Sequence, residues 1–122
     1  MKKLIGIMGI LVLFSVSSVV VAGGDLKKEA KEITGEVIDM FCYLDHGASG
    51  DGHAKCAVKC IKSGIPVGLK TADGVLYLAV GADHKAANDM LGEYGGKTIT
   101  VKGTTSEKDG VKLLVISEIV KK

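Results

Sequence analysis

Gly74-Val75-Leu76-Tyr77-Leu78-Ala79-Val80-Gly81, then Ala86-Ala87-Asn88-Asp89-Met90-Leu91-Gly92-Glu93-Tyr94, then Lys97-Thr98-Ile99-Thr100-Val101-Lys102 decide the fold of this chain. The first stretch holds a continuous apolar run, Val75 to Val80, and reads as a central strand. In the second, Ala86, Ala87, Met90, Leu91 and Tyr94 fall on one face at helical spacing. Asp83 is the natural cap of a helix over 83–94, and Gly95-Gly96 stops it. The third stretch alternates, with Ile99 and Val101 turned inward, as a half-buried strand does.

Working outward, Ile33 to Asp39 reads as the first strand. Met40 to Gly52 carries glycines and aspartates and reads as a loop. His53 to Ser63 reads as a helix, capped by Asp51 or Gly52 and ended by Gly64 and Pro66. Pro66 to Lys70 is a short strand, and Asp73-Gly74 in the turn after it supplies positive φ angles. Glu107 to Gly110 turns the chain into a last strand, Val111 to Val120. Five strands with a helix between the third and the fourth is the order of an OB-fold barrel. The expectation is a mainly β chain with two short helices: a five-stranded OB-like barrel with a helical insert, 40–64, between strands one and two. Closure into a barrel removes the exposed edges that so short a sheet otherwise leaves.

The amino terminus reads as a secretory signal over 1–22. Lys2 and Lys3 precede the apolar run Leu4 to Val21, and Val20-Val21-Ala22 offers small residues for cleavage before Gly23. Residues 23–32 then form a flexible lead-in to an OB-like domain over 33–122. Removal of the signal leaves 100 residues, enough for one small core. It also leaves 14 lysines against 14 acids. The chain has no arginine. A neutral, arginine-free domain is a poor match for nucleic acid, whose binders carry basic surfaces. The expectation is a periplasmic or secreted protein, free of the membrane after cleavage. Its partner is a metal ion or another periplasmic protein.

All three cysteines lie within 19 residues, as Cys42, Cys56 and Cys60, with His46 and His53 among them. On a wheel of about 100° per residue, Cys60 lies at about +40° from Cys56 and His53 at about −60°. The three therefore share one side of the insert helix. Ala57, Val58 and Ile61 form a second arc suited to packing on the barrel, and Lys55, Lys59 and Lys62 a third suited to water. Cys42, at the end of the first strand, can close the group from the other side. Cys42, His53, Cys56 and Cys60 make a Cys3His set that suits tetrahedral zinc. The same soft donors suit Cu(I). His46 is an alternative fourth ligand, being close to Cys42 in sequence. Nearby lysines favour the thiolate forms.

A second reading is a disulfide staple from Cys42 to Cys56 or Cys60. It closes a loop of about 15 to 19 residues and contributes about 3 kcal/mol in the chain-entropy model. Export favours the staple; the odd cysteine and the histidine favour the metal. A thiol–disulfide redox role is a third reading, without the Cys-x-x-Cys spacing of thioredoxin-like enzymes. Covalent c-type haem is excluded, because Ile61 rather than histidine follows Cys60. His84 reads as solvated surface, and Met40 and Met90 as core filling. Asp39, Asp45 and Asp51 lack EF-hand spacing and read as solvated loop acids. No phosphate loop and no Gly-x-Ser-x-Gly elbow is present, which points away from an enzyme.

Gly35-Glu36-Val37-Ile38-Asp39-Met40-Phe41-Cys42, with His53-Ala54-Lys55-Cys56-Ala57-Val58-Lys59-Cys60, resembles small exported bacterial OB-fold-like proteins of unknown function. In these, a strand ending in Asp-x-x-Cys leads to a Cys-x3-Cys helix and then to a Gly-x-x-Tyr strand, here Gly74 to Tyr77. The closing stretch Gly96 to Gly103 is also similar to theirs. The resemblance covers nearly all of the chain after the signal. It implies an OB-like fold and a common Cys/His site, and it implies no activity.

Overall fold

A computed structural model describes residues 28–122. The expected signal, 1–22, and much of the lead-in lie outside the described residues. The strands are β1 (Lys31–Asp39), β2 (Val67–Lys70), β3 (Leu76–Gly81), β4 (Lys85–Ala86), β5 (Thr98–Lys108) and β6 (Val111–Lys121). The helices are α1 (Met40–His46), α2 (Ala54–Lys62) and α3 (Asn88–Leu91). Among the described residues no helix is long and apolar enough to cross a membrane.

Five strands close on themselves. β1 pairs with β2, β2 with β3, β3 with β6, β6 with β5, and β5 returns to β1. All these pairings are antiparallel except β3–β6. This is the expected five-stranded OB-like barrel, with its helical insert between the first two strands and a short helix before the fourth. Among the described residues, ring closure leaves only β4, two residues long, as an edge beyond the barrel. The interior is filled by Val37, Leu69, Val101, Leu114 and Ile116, all buried, with Ile61 of α2 and Leu91 of α3 packed into the same cluster.

Three local expectations are corrected. First, 40–52 is not all loop. Asp39 accepts from the amides of Phe41 and Cys42 at 3.0 and 3.2 Å, and so caps α1. Gly47, at φ +69°, closes it with its amide on the Tyr43 carbonyl. Second, the helix expected over 83–94 is much shorter. Asp83 and His84 have φ of +57° and +60° and form a tight turn, so Asp83 caps nothing. The chain then adds β4 to β3, and only Asn88–Leu91 is α-helical before a 3-10 turn, Gly92–Tyr94. Ala86 is consequently exposed, while Ala87 and Leu91 are buried as expected. Third, both residues of an Asp-Gly pair take positive φ at Asp109-Gly110, not at 73–74, where only Gly74 does. Asp109-Gly110 makes the two-residue turn between β5 and β6.

Two glycines let the insert sit on the barrel. A Cβ on Gly95 would lie 2.7 Å from the Val58 nitrogen of α2. A Cβ on Gly96, which also has φ +76°, would lie 2.8 Å from the Gly50 carbonyl oxygen. Only glycine permits this approach of backbones. Gly96 also donates to the Val37 carbonyl at 2.8 Å, and Val37 donates to Lys97 at 2.9 Å, joining this segment to β1. Asn88 donates through Nδ2 to the carbonyls of Ile61 and Ile65, each at 2.7 Å, and fixes the far end of α2.

Candidate metal centre

The three arcs of the insert helix appear as the wheel predicts. Ala57 and Ile61 are buried and Val58 is half-buried against the barrel. Lys55, Lys59 and Lys62 are exposed. Between them lie Cys56, exposed, and Cys60, half-buried. His53 precedes α2 as the last residue of a 3-10 turn, Asp51–His53. Neither Asp51 nor Gly52 caps the helix; His53 occupies that position without a side-chain cap.

Cys42 approaches from α1. Its thiol, a ring nitrogen of His53 and the Cys56 thiol lie within 4.8 Å of one another. An Asp39 oxygen, Cys42 and Cys60 form a second group within the same limit. Cys42 belongs to both, while His53 and Cys60 fall in different groups, so the four donors expected from the sequence gather around Cys42 without forming one set. No sulfur–sulfur bond joins the cysteines; all three are free thiols. His46 stands elsewhere, exposed at the end of α1, its Nε2 3.1 Å from Asp45 and its ring edge-on to Phe41. Asp45 and Asp51 are exposed and do not join Asp39.

Asp39 is the member that the sequence reading missed. It is 2% exposed, the one buried charged residue among those described. Its Oδ1 takes the two capping amides. Its Oδ2 faces His53 Nε2 at 3.9 Å, too long for a hydrogen bond. These two are the buried side-chain nitrogen and oxygen atoms left without a hydrogen-bond partner among the described residues. The thiols beside Oδ2 are only weak donors. The available signal was local: Asp before a short run ended by Gly47 is a helix-capping pattern, and it directs one oxygen inward.

Asp39 also acts on the Cys42 and Cys60 thiols. Burial raises its own carboxyl pKa, but the Cys42 amide, the Cys42 and Cys60 thiols and the Phe41 amide outweigh burial and hold it below the usual range. Its carboxylate is the leading cause that raises the Cys42 thiol, followed by burial. Cys60 is pushed up to about 12 by Asp39 first, then burial, then Cys56. Thiolate formation favoured by lysines is therefore not what the geometry gives. The lysines face water, and the charge beside the sulfurs is negative. In the free site the raised Cys42 and Cys60 thiols stand beside an anionic carboxylate, ready to exchange protons for a cation.

No protein-family model matches the chain, and no curated protein or solved structure matches it either.

Proposed function

We propose that this is an exported binding protein whose insert holds one soft metal ion, zinc or copper, and that it is not an enzyme. The observation that carries the reading is the gathering, in two groups that share Cys42, of three free thiols, an imidazole and a buried carboxylate from β1, α1, the turn Asp51–His53 and α2. Structural cores seldom bury a carboxylate beside an unpaired histidine nitrogen, because each unsatisfied group costs about 1–3 kcal/mol. A cation between them removes that cost. Cys42, His53, Cys56 and Cys60 are the donors named by the sequence, and Asp39 stands ready beside them. A carboxylate and several thiolates together favour a divalent ion such as zinc over Cu(I), whose preference is for soft donors alone.

The lysines and apolar run of 1–22, read as a signal cleaved before Gly23, support export to the periplasm or outside the cell. The resemblance read from the sequence, to small exported bacterial proteins of unknown function, agrees with that reading and assigns no activity. A disulfide-stapled barrel that binds another protein is the second reading. The exposed side chains of Phe41 and Leu44, beside Met40, Ile65 and Pro66, favour it.

Elemental analysis of the mature protein, purified from the periplasm without chelator and paired with a thiol count under denaturing conditions, separates the two. Near-stoichiometric metal with three thiols supports the metal reading. No metal and one thiol supports the staple.

A further inference from the structure

We propose that Asp39 ligates the ion through Oδ2, opposite His53, and that the exposed Cys56 is the exchangeable donor through which the ion enters and leaves. This rests on the reading of the insert as a metal site. It changes the site from a closed Cys3His cage into a four-ligand seat, Asp39, Cys42, His53 and Cys60, with Cys56 at its mouth; His53, grouped in the free protein with Cys42 and Cys56, closes toward Cys60 as the ion seats.

The first support is the 3.9 Å gap between Asp39 Oδ2 and His53 Nε2. Two donors bound at about 2.0–2.1 Å to one tetrahedral zinc stand about 3.3–3.4 Å apart. Both unpartnered atoms can therefore meet one ion once the gap closes by about half an ångström. The carboxylate is already fixed for this, because its other oxygen is held by the amides of Phe41 and Cys42. A ligating carboxylate secured by hydrogen bonds on its second oxygen is the usual supported arrangement.

The second support is charge. Three thiolates and a neutral imidazole around zinc leave one net negative charge. A buried, unligated Asp39 carboxylate against that shell would add a second, uncompensated one. Seating Asp39 in place of Cys56 keeps the net charge at minus one and lets the fifth donor remain in water. Cys56 is the thiol suited to that part. It is exposed, whereas Cys42 and Cys60 are half-buried. Five donors for a four-coordinate ion, the fifth at the surface, allow stepwise ligand exchange with a soft donor on an outside carrier.

The test uses reduced full-length mature protein loaded with Zn(II). Iodoacetamide labelling read by mass spectrometry should modify Cys56 at least about tenfold faster than Cys42 or Cys60, with zinc retained. By competition against a chromophoric chelator, Cys56→Ser should bind zinc within about threefold of the parent. Cys60→Ser and Asp39→Asn should bind at least about tenfold more weakly, the scale of losing one supporting group at a metal site. Asparagine keeps the helix cap, so Asp39→Asn separates ligation from folding. If that variant does not fold, the labelling pattern of the parent decides. Expulsion of zinc on Cys56 alkylation, or parental affinity in Asp39→Asn, would overturn the assignment while leaving a metal site. A parent that takes up no zinc would overturn the underlying reading instead.

Discussion

Asp39 Oδ2 and His53 Nε2 face each other across 3.9 Å, each buried and each without a hydrogen-bond partner. One belongs to the last residue of β1, the other to the turn that starts α2, 14 residues further on. Their juxtaposition is made by the docking of the insert on the barrel, so the site and the fold stand or fall together.

Metal affinity should rise steeply with pH. Cys42 is raised above 9.0 and Cys60 to about 12, so both thiols are protonated at neutral pH in the free protein and lose protons on binding. Two protons released correspond to about a hundredfold gain in apparent affinity per pH unit. Zinc competition at several pH values between 6.5 and 8.5 checks this, and a flat profile would count against thiolate ligation.

The same shifts have a sign for the stability of the free protein. A raised thiol pKa means that the fold prefers the neutral form. That contribution is fully present below the unfolded thiol value near 9 and is lost as pH rises from there toward 12. Chemical denaturation of the metal-free protein should show a falling midpoint over that window. Asp39→Asn, which removes the leading cause, should flatten the fall and speed alkylation of Cys42 and Cys60 severalfold at pH 8.

Ile61→Ala should cost about 2–5 kcal/mol, the range for emptying a fully buried aliphatic site. Ile61 touches no donor role, yet it anchors α2 to the core. The variant should therefore lose metal affinity along with stability, read by urea denaturation and zinc titration on the same sample.

Gly95→Ala should destabilise by about 1–3 kcal/mol, because its Cβ meets the α2 backbone rather than a movable side chain. Gly96→Ala should cost more, adding a left-handed φ of +76° to a similar clash. Thermal unfolding of the two variants gives the order directly.

Much of this was legible in the chain. The 3.6-residue period of 53–63 separated donors, core and lysines correctly, because a helix with three chemically distinct arcs leaves little choice of orientation. The apolar run 75–80 and the alternation at 97–102 set two barrel strands for the same reason. What escaped lay in short elements, where periodicity has no length to express itself. The seven residues of α1 were hidden by the glycines after them, although Asp39 and Gly47 mark both its ends. Residues 83–94 carry a helical stripe, but the turn at Asp83-His84 and the pairing of Lys85-Ala86 with β3 took precedence. Asp39 read as a loop acid because the sequence does not show that strand and insert close over it.

The most direct measurement is a titration of Zn(II), and separately of Cu(I), into the reduced mature protein, monitored by competition and by proton release. The account predicts saturation at one ion per chain with submicromolar zinc affinity and release of at least two protons at pH 7. Absence of saturable binding up to millimolar metal by a folded, fully reduced protein would contradict it.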